Sequence, residues 1–292
     1  MKIRCLIFLA IAMISAGTVR SQDYWVQIGK TPMSKVVGYY DQTEGVTILY
    51  GVKKDGSGLL MSSSKSNFAN WTPIGDAGSE VVTAGYALYI LSKDKKGVYK
   101  YGGTPNVWDK IGDAAAAIYG GLGGLYATNP ESKDILGYNP GSKRWTGVGG
   151  PGKMFAVGGK GRLYGLSPDG TSVWKYSGTG TKWDQIGSVA KYIYAGGNEL
   201  YAISPRTSDI MRYLGNAQQW ERAGGPGKMF AVDDMGNVYG ISPDGSQIWE
   251  YRIAKKQWLK VGDSAAYIFA CGNRQLFAIH PQTGMLWRWM LQ

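Results

Sequence analysis

Residues 145–187 read WTGVGGPGKMFAVGGKGRLYGLSPDGTSVWKYSGTGTKWDQIG. The stretch opens and closes on one signature, Trp145-Thr-Gly-Val-Gly149 and Trp183-Asp-Gln-Ile-Gly187. Each copy is a tryptophan, two variable residues, a small or branched apolar residue and a glycine. Three apolar runs lie between them. Met154-Phe-Ala-Val157 is continuously apolar, as a strand covered on both faces must be. Gly158-Gly-Lys-Gly161 is a turn, and Leu163-Tyr-Gly-Leu166 is a second strand. Ser167-Pro-Asp-Gly170 turns the chain again, since Pro presets φ and Gly accepts positive φ. Val173-Trp-Lys-Tyr176 is a third strand of mixed pattern, and a Gly/Ser/Thr turn leads to the next Trp strand. Four short antiparallel strands fill the repeat.

Outward from this segment the signature recurs at Trp25, Trp71, Trp108, Trp220 and Trp258, which makes seven copies spaced 46, 37, 37, 38, 37 and 38 residues apart. Such a period marks a repeat architecture. Trp and Ile stand three residues apart, so on a pleated strand they point to opposite faces. Both are bulky and apolar, so each sheet needs cover on both sides, as blades stacked in a propeller provide. The last repeat has apolar runs at 267–270, 276–279 and 285–289 but no Trp signature after them, whereas Trp25 has a signature and no strands before it. The strand around Trp25 is therefore expected to complete the last blade. The fold class read from the sequence is an all-β, seven-bladed β-propeller of four-stranded antiparallel blades. It forms a single domain over residues 22–292, and a β-helix is the other arrangement compatible with the period. The 44 glycines and the absence of a 3.6-residue period exclude a helical solenoid.

A longer period is also present. Residues 149–157 (GGPGKMFAV) recur identically at 224–232, and Ser167–Gly170 recurs at Ser242–Gly245, both 75 residues on. The first repeat is the longest, with its extra residues expected in a loop around Tyr40–Gly45. Asn70-Trp71-Thr72 is a glycosylation sequon whose central Trp is expected inside a strand, which argues against its use.

Residues 1–21 carry Lys2 and Arg4, a twelve-residue apolar run and small residues before Ser21. They read as a signal peptide, and hence a secreted, extracellular protein without membrane insertion. This leader holds three of the 32 Lys+Arg and none of the 21 Asp+Glu, so the formal charge of +11 falls to +8 without it. A mildly basic secreted chain can bind anionic glycans, cell walls or lipid headgroups, but the favoured reading is that the charge keeps the chain soluble; nucleic acid is a poor partner for a secreted chain. Of two cysteines, Cys5 leaves with the leader and Cys271 stays alone, so no internal disulfide forms. His280 is the one histidine, so no histidine cluster for a metal or for catalysis is expected. No acidic pair suited to a glycosidase stands out, and no cofactor motif is present: Gly120–Gly124 reads as a turn between strands.

The motifs Trp183-Asp-Gln-Ile-Gly187, Phe155-Ala-Val-Gly-Gly159, Leu163-Tyr-Gly-Leu166 and Val173-Trp-Lys-Tyr176 resemble the tectonin repeats of β-propeller lectins, and the architecture is similar to that of fish-egg lectins and tachylectin-type proteins. The likeness spans essentially the whole mature chain. It implies glycan binding at repeated sites, recognition of microbial or foreign surfaces, and a preference for N-acetylated or O-methylated sugars. Two departures stand against it: the fish-egg proteins carry disulfides, and blade number varies among relatives. A sugar site needs an aromatic face and a few fixed polar groups. The third strand offers Trp174, Trp249 and Trp287 at one repeat position, with Lys175, Arg212, Glu250 and Arg288 beside that position and Asp169 and Asp244 in matching turns. Equivalent positions hold Tyr99, Leu136 and Met211, which is also what packing between blades would select. Three functions remain open on the sequence: a multivalent lectin, a protein-binding propeller, and a hydrolase using the central channel.

Overall fold

A computed structural model describes residues 24–291; the signal peptide expected at residues 1–21 falls outside the described residues. The chain forms seven four-stranded antiparallel sheets arranged as a β-propeller. Blades 1 to 6 occupy residues 33–75, 80–112, 117–151, 154–187, 193–224 and 229–262, each with its strands in sequence order from the centre outwards. Blade 7 takes Tyr267–Cys271, Gln275–Ile279 and Leu286–Met290 from the end of the chain and Tyr24–Gln27 from its beginning. Trp25 sits opposite Trp289 and Gln27 opposite Trp287. The strand around Trp25 closes the ring, as the lone signature at the start of the chain requires.

Each of seven apolar clusters straddles one pair of adjacent blades. Ile74 of blade 1 packs with Val81 and Leu88 of blade 2, for example, and Trp108 of blade 2 joins the same cluster from its own side. The branched residue of the signature thus points to the following blade and the Trp to the preceding one.

The signature also works as a bracket between blades. In blade 4, Val173 pairs with Gly187 and Trp174 with Gln185, so the ladder skips Ile186. The same one-residue bulge skips the fourth signature residue in blades 1, 2, 3, 5 and 6. A bulged residue is left out of the ladder, and here its carbonyl accepts the indole N–H of the next blade's Trp. Trp220 Nε1 donates to Ile186 O, and all seven such bonds, including Trp25 to Val261 across the seam, measure 2.7 to 3.3 Å. The signature glycine follows from the same geometry. A Cβ on Gly75, Gly112, Gly149, Gly187, Gly224 or Gly262 would come within 2.3 to 2.9 Å of that indole nitrogen.

Two expectations are corrected. The extra residues of the first repeat are largely strand: Met33–Asp41 and Val46–Lys53 form a long hairpin whose turn is residues 42–45. The sequon is not inside a strand, because Trp71 precedes Thr72–Gly75 and Asn70 is exposed.

Candidate functional site

In every blade the first three strands place one residue each in a row on the face turned to the preceding blade. The rows are Val36-Gly51-Leu60, Val81-Ile90-Tyr99, Ile118-Ala127-Leu136, Phe155-Gly165-Trp174, Ile193-Ala202-Met211, Phe230-Gly240-Trp249 and Ile268-Ala278-Trp287. In blades 1 to 6 the bulge of the fourth strand lies beside the third residue of the row. The signature Trp of the fourth strand stands further out on the same face.

Clefts open along this row between blades. The cleft between blades 3 and 4 has a volume of about 320 Å³ and runs from Phe155 and Gly165 past Trp174 to Trp183, under Pro151 and Pro168. The cleft between blades 5 and 6, about 330 Å³, is built from Phe230, Gly240, Trp249, Trp258, Pro226 and Pro243. The two are the same site 75 residues apart, and the identical GGPGKMFAV segments form part of their walls. In both, the missing Cβ matters: on Gly165 it would sit 3.0 Å from the Phe155 ring, and on Gly240 2.9 Å from the Phe230 ring. Related clefts of about 500, 450 and 260 Å³ lie between blades 1 and 2 (Tyr99, Trp108, Lys93), 4 and 5 (Met211, Trp220, Arg206) and 6 and 7 (Trp287, Trp25, His280).

Trp174, Trp249 and Trp287 therefore line equivalent inter-blade clefts. Their polar neighbours do not. Adjacent residues of a strand point to opposite faces, so Lys175, Arg212, Glu250 and Arg288 turn toward the following blade. Arg212 is held by Glu199 (2.7 and 3.0 Å) and Glu221 (3.3 Å), and Glu221 also binds Lys256 of blade 6 (2.6 Å). Glu250 is buried and paired with Arg252 and with Arg274 of blade 7. Arg288 lies 5.4 Å from the Phe68 ring of blade 1, where burial lowers its pKa below the usual guanidinium range. Lys175 stands opposite Asp184.

Asp169 and Asp244 are turn formers. Asp169 accepts the Ser167 and Thr171 hydroxyls and the Thr171 N–H, and Asp244 does the same with Ser242 and Ser246. These bonds, the serine hydroxyl first, hold both carboxyls down at about 2. His280 Nδ1 likewise accepts the Thr283 N–H within its own turn. Cys271 is buried against Met33, Val36 and Leu49 of blade 1, and burial pushes its thiol well up. Among the described residues no group of three His, Cys, Asp or Glu is placed to hold a metal ion, and no helix is long and apolar enough to cross a membrane.

The sequence reading missed the cleft walls made by Phe155, Phe230, Gly165, Gly240 and the paired prolines. Trp183 and Trp258, read from the sequence only as residues that a neighbouring blade covers, each line a cleft as well. The signal for Phe155, Phe230, Pro151 and Pro226 was the exact repetition of GGPGKMFAV, and for Gly165, Gly240, Pro168 and Pro243 the recurrence of Tyr-Gly-x-Ser-Pro-Asp-Gly 75 residues on.

No protein-family model and no curated protein sequence matches the chain. Solved structures are similar in fold. YCF48 bound to D1 peptide has a TM-score of 0.62 at 13% identity, over 94% of this chain and 98% of that one. Virginiamycin B lyase from Staphylococcus aureus, in a catalytically inactive form with quinupristin, has a TM-score of 0.64 at 9% identity, over 93% and 99%. The ectodomain of the Physcomitrella patens receptor kinase CR4 has a TM-score of 0.59 at 15% identity, over 87% and 72%. At these identities the likeness is one of fold, and none of the three is a tectonin or fish-egg lectin.

Proposed function

We propose that this propeller is a secreted, multivalent carbohydrate-binding protein whose inter-blade clefts each take the apolar face of one sugar ring. The observation that carries the reading is the recurrence of an aromatic cleft at five interfaces, twice with the same walls. Stacking the C–H face of a sugar on an indole needs a broad aromatic plane next to open space, and Trp174 and Trp249 line open clefts of about 320 and 330 Å³. A cleft of about 320 Å³ suits a single residue of a glycan, so each site alone is weak. Several rigidly held sites gain about 10²–10⁴-fold in avidity on a surface displaying many copies.

A glycan array with the mature protein tests this. Binding should be dose-dependent and competed by free sugar only at high concentration. The variants to compare are Trp174→Met and Trp249→Met, because blade 5 folds with Met211 at the same place. Each should lower surface binding while leaving the melting temperature within a few degrees. A blank array together with capture of one protein partner would replace this reading with a protein-binding propeller, and a fold relative solved with a peptide shows that such a scaffold can hold one. Turnover of a glycoside panel would point instead to a hydrolase.

A further inference from the structure

We propose that blades 4 to 6 form a track for an acidic polysaccharide, sugar rings seated in the Trp clefts and their anionic substituents met by a row of lysines. The proposal rests on the carbohydrate reading above and names the ligand class.

The connectors between blades are structurally equivalent. The fifth residue, counted from the signature glycine, donates its backbone N–H to the last residue of the second strand in six blades. The pairs are Ser79 to Leu91, Ala116 to Thr128, Lys153 to Leu166, Lys191 to Ile203, Lys228 to Ile241 and Ala266 to Ile279. Lysine occupies this place in three successive blades and in none of the other three. The second connector residue shows the converse pattern: Asp76, Asp113 and Asp263 where lysine is absent, and Gly150, Ser188 and Gly225 where it is present. The exchange sets Lys153, Lys191 and Lys228 side by side as an arc along one rim; elsewhere on that rim Asp113 and Asp263 pair with Lys110 and Lys260, and exposed Lys93, Lys95 and Lys96 share the turn of blade 2 near Asp76.

The arc lies on the clefts. Leu166, Ile203 and Ile241, which anchor the three lysines, line the clefts before blades 4, 5 and 6. All three lysines are exposed, and none has an ion-pair partner among the described residues. The middle cleft adds exposed Arg206, also without an ion-pair partner among the described residues, beside Ser188 and Gln218. The sequence of sites is thus an apolar Trp cleft, a polar cleft with arginine, and a second apolar Trp cleft. Along the arc itself the acids are Asp169 and Asp244, held inside their own turns, Asp209, paired with Arg222, and Asp134, beside Gly150 at its edge. Lone cations at this density attract a polyanion, and an attraction between exposed charges must weaken with salt.

The test uses full-length mature protein with polygalacturonate for carboxylate, dextran sulfate for sulfate, and dextran as the neutral control. Wild type should prefer one or both acidic polymers over dextran, and lose about tenfold in affinity or more as salt rises through a few hundred millimolar. The triple variant Lys153→Glu, Lys191→Glu, Lys228→Glu should lose about tenfold or more for the acidic polymer. The triple variant Arg144→Glu, Lys182→Glu, Lys255→Glu carries the same charge change on exposed positions at the opposite rim and should keep its affinity. Preference for one acidic polymer identifies which anion the track takes and supports it. Equal loss in both variants overturns it, because net charge alone would then explain binding. So does duplex DNA or an anionic phosphatidylserine vesicle bound as tightly as the acidic polymers. Dextran bound as well as the acidic polymers, equally by wild type and the first variant, sinks the track and leaves the carbohydrate reading intact. No binding to any polymer, with a blank glycan array, removes both.

Discussion

Removing the Trp25 side chain should open the ring at its seam, with a cost that can be worked from the bracket. Trp25→Phe deletes the 2.7 Å bond from Nε1 to Val261 O and leaves that carbonyl without its donor, worth about 1–2 kcal/mol. Trp25→Ala also removes the half-buried ring from the cluster of Trp289, Tyr239 and Ile248, which brings the loss to about 3 kcal/mol, the lower end for an aromatic truncation. For a chain of this size about 2 °C accompanies each kcal/mol, so melting should fall by about 3 °C for Phe and about 6 °C for Ala.

The seam differs from the other interfaces in its tethering. The strand bearing Trp183 follows its blade's third strand through a short turn, so it stays near its place when the indole is lost. Tyr24–Gln27 pairs only with Leu286–Met290 and is joined to the rest of the described chain through residues 28–32 alone. Trp25→Ala should therefore free the whole strand and turn Leu286–Met290 into an edge. Hydrogen exchange at residues 286–290 reads this directly, with expected acceleration in Trp25→Ala and none in Trp183→Ala. Equal protection of those amides in wild type and Trp25→Ala, or equal exposure in both variants, would refute the claim that the indole holds the ring shut.

Arg212→Ala should cost about 3 kcal/mol, because Glu199 and Glu221 lose their shared partner at an interface where both are about four-fifths shielded; denaturant melts should show this while surface binding stays unchanged, since Arg212 faces away from the clefts. Asp234 is pushed up to about 6, chiefly by burial. Its folded pKa exceeds its unfolded one, so this group withdraws stability as pH rises from about 4 to above 6. Asp234→Asn keeps an acceptor for the Gly272 N–H and should stabilise the protein by about 1–3 kcal/mol at pH 7.5, a gain that vanishes near pH 4 in melts taken across that range. Gly196→Ala should destabilise by about 1–3 kcal/mol, because its Cβ would sit 2.3 Å from Asp233 O; a melt within 1 °C of wild type would show that the inner hairpins of blades 5 and 6 yield more easily than their spacing implies.

The repeat was legible because the bracket spends residues that cannot be exchanged. The indole must reach a carbonyl on the neighbouring blade, and only a bare Cα fits beneath it, so tryptophan and glycine persist where surrounding positions drift. The bulge left no such mark, since Ile186, Val148 and Ala223 serve equally when only their carbonyl is used. The polar partners proposed for the sugar sites failed for a reason already present in the alphabet of a strand: Lys175 follows Trp174 directly and must point the other way.

The cleft itself was written in the sequence in a form that turn chemistry concealed. Gly-Pro-Gly and Ser-Pro-Asp-Gly read as loops, which they are, and that reading accounts for glycine and proline without a ligand. What loops and packing leave unexplained is the company they keep. Blades 2, 3 and 5 close the same row with Val81 and Ile90, Ile118 and Ala127, and Ile193 and Ala202, so a phenylalanine facing a glycine is no requirement of the fold. In blades 4 and 6 the three changes come together. Phe155 fills the volume that Gly165 vacates, and Gly165 in turn leaves the Trp174 ring without a side chain opposite it. A set of substitutions that keeps the core filled while leaving an indole along a cleft, made twice in one chain beside identical connectors, fits the proposed binding sites.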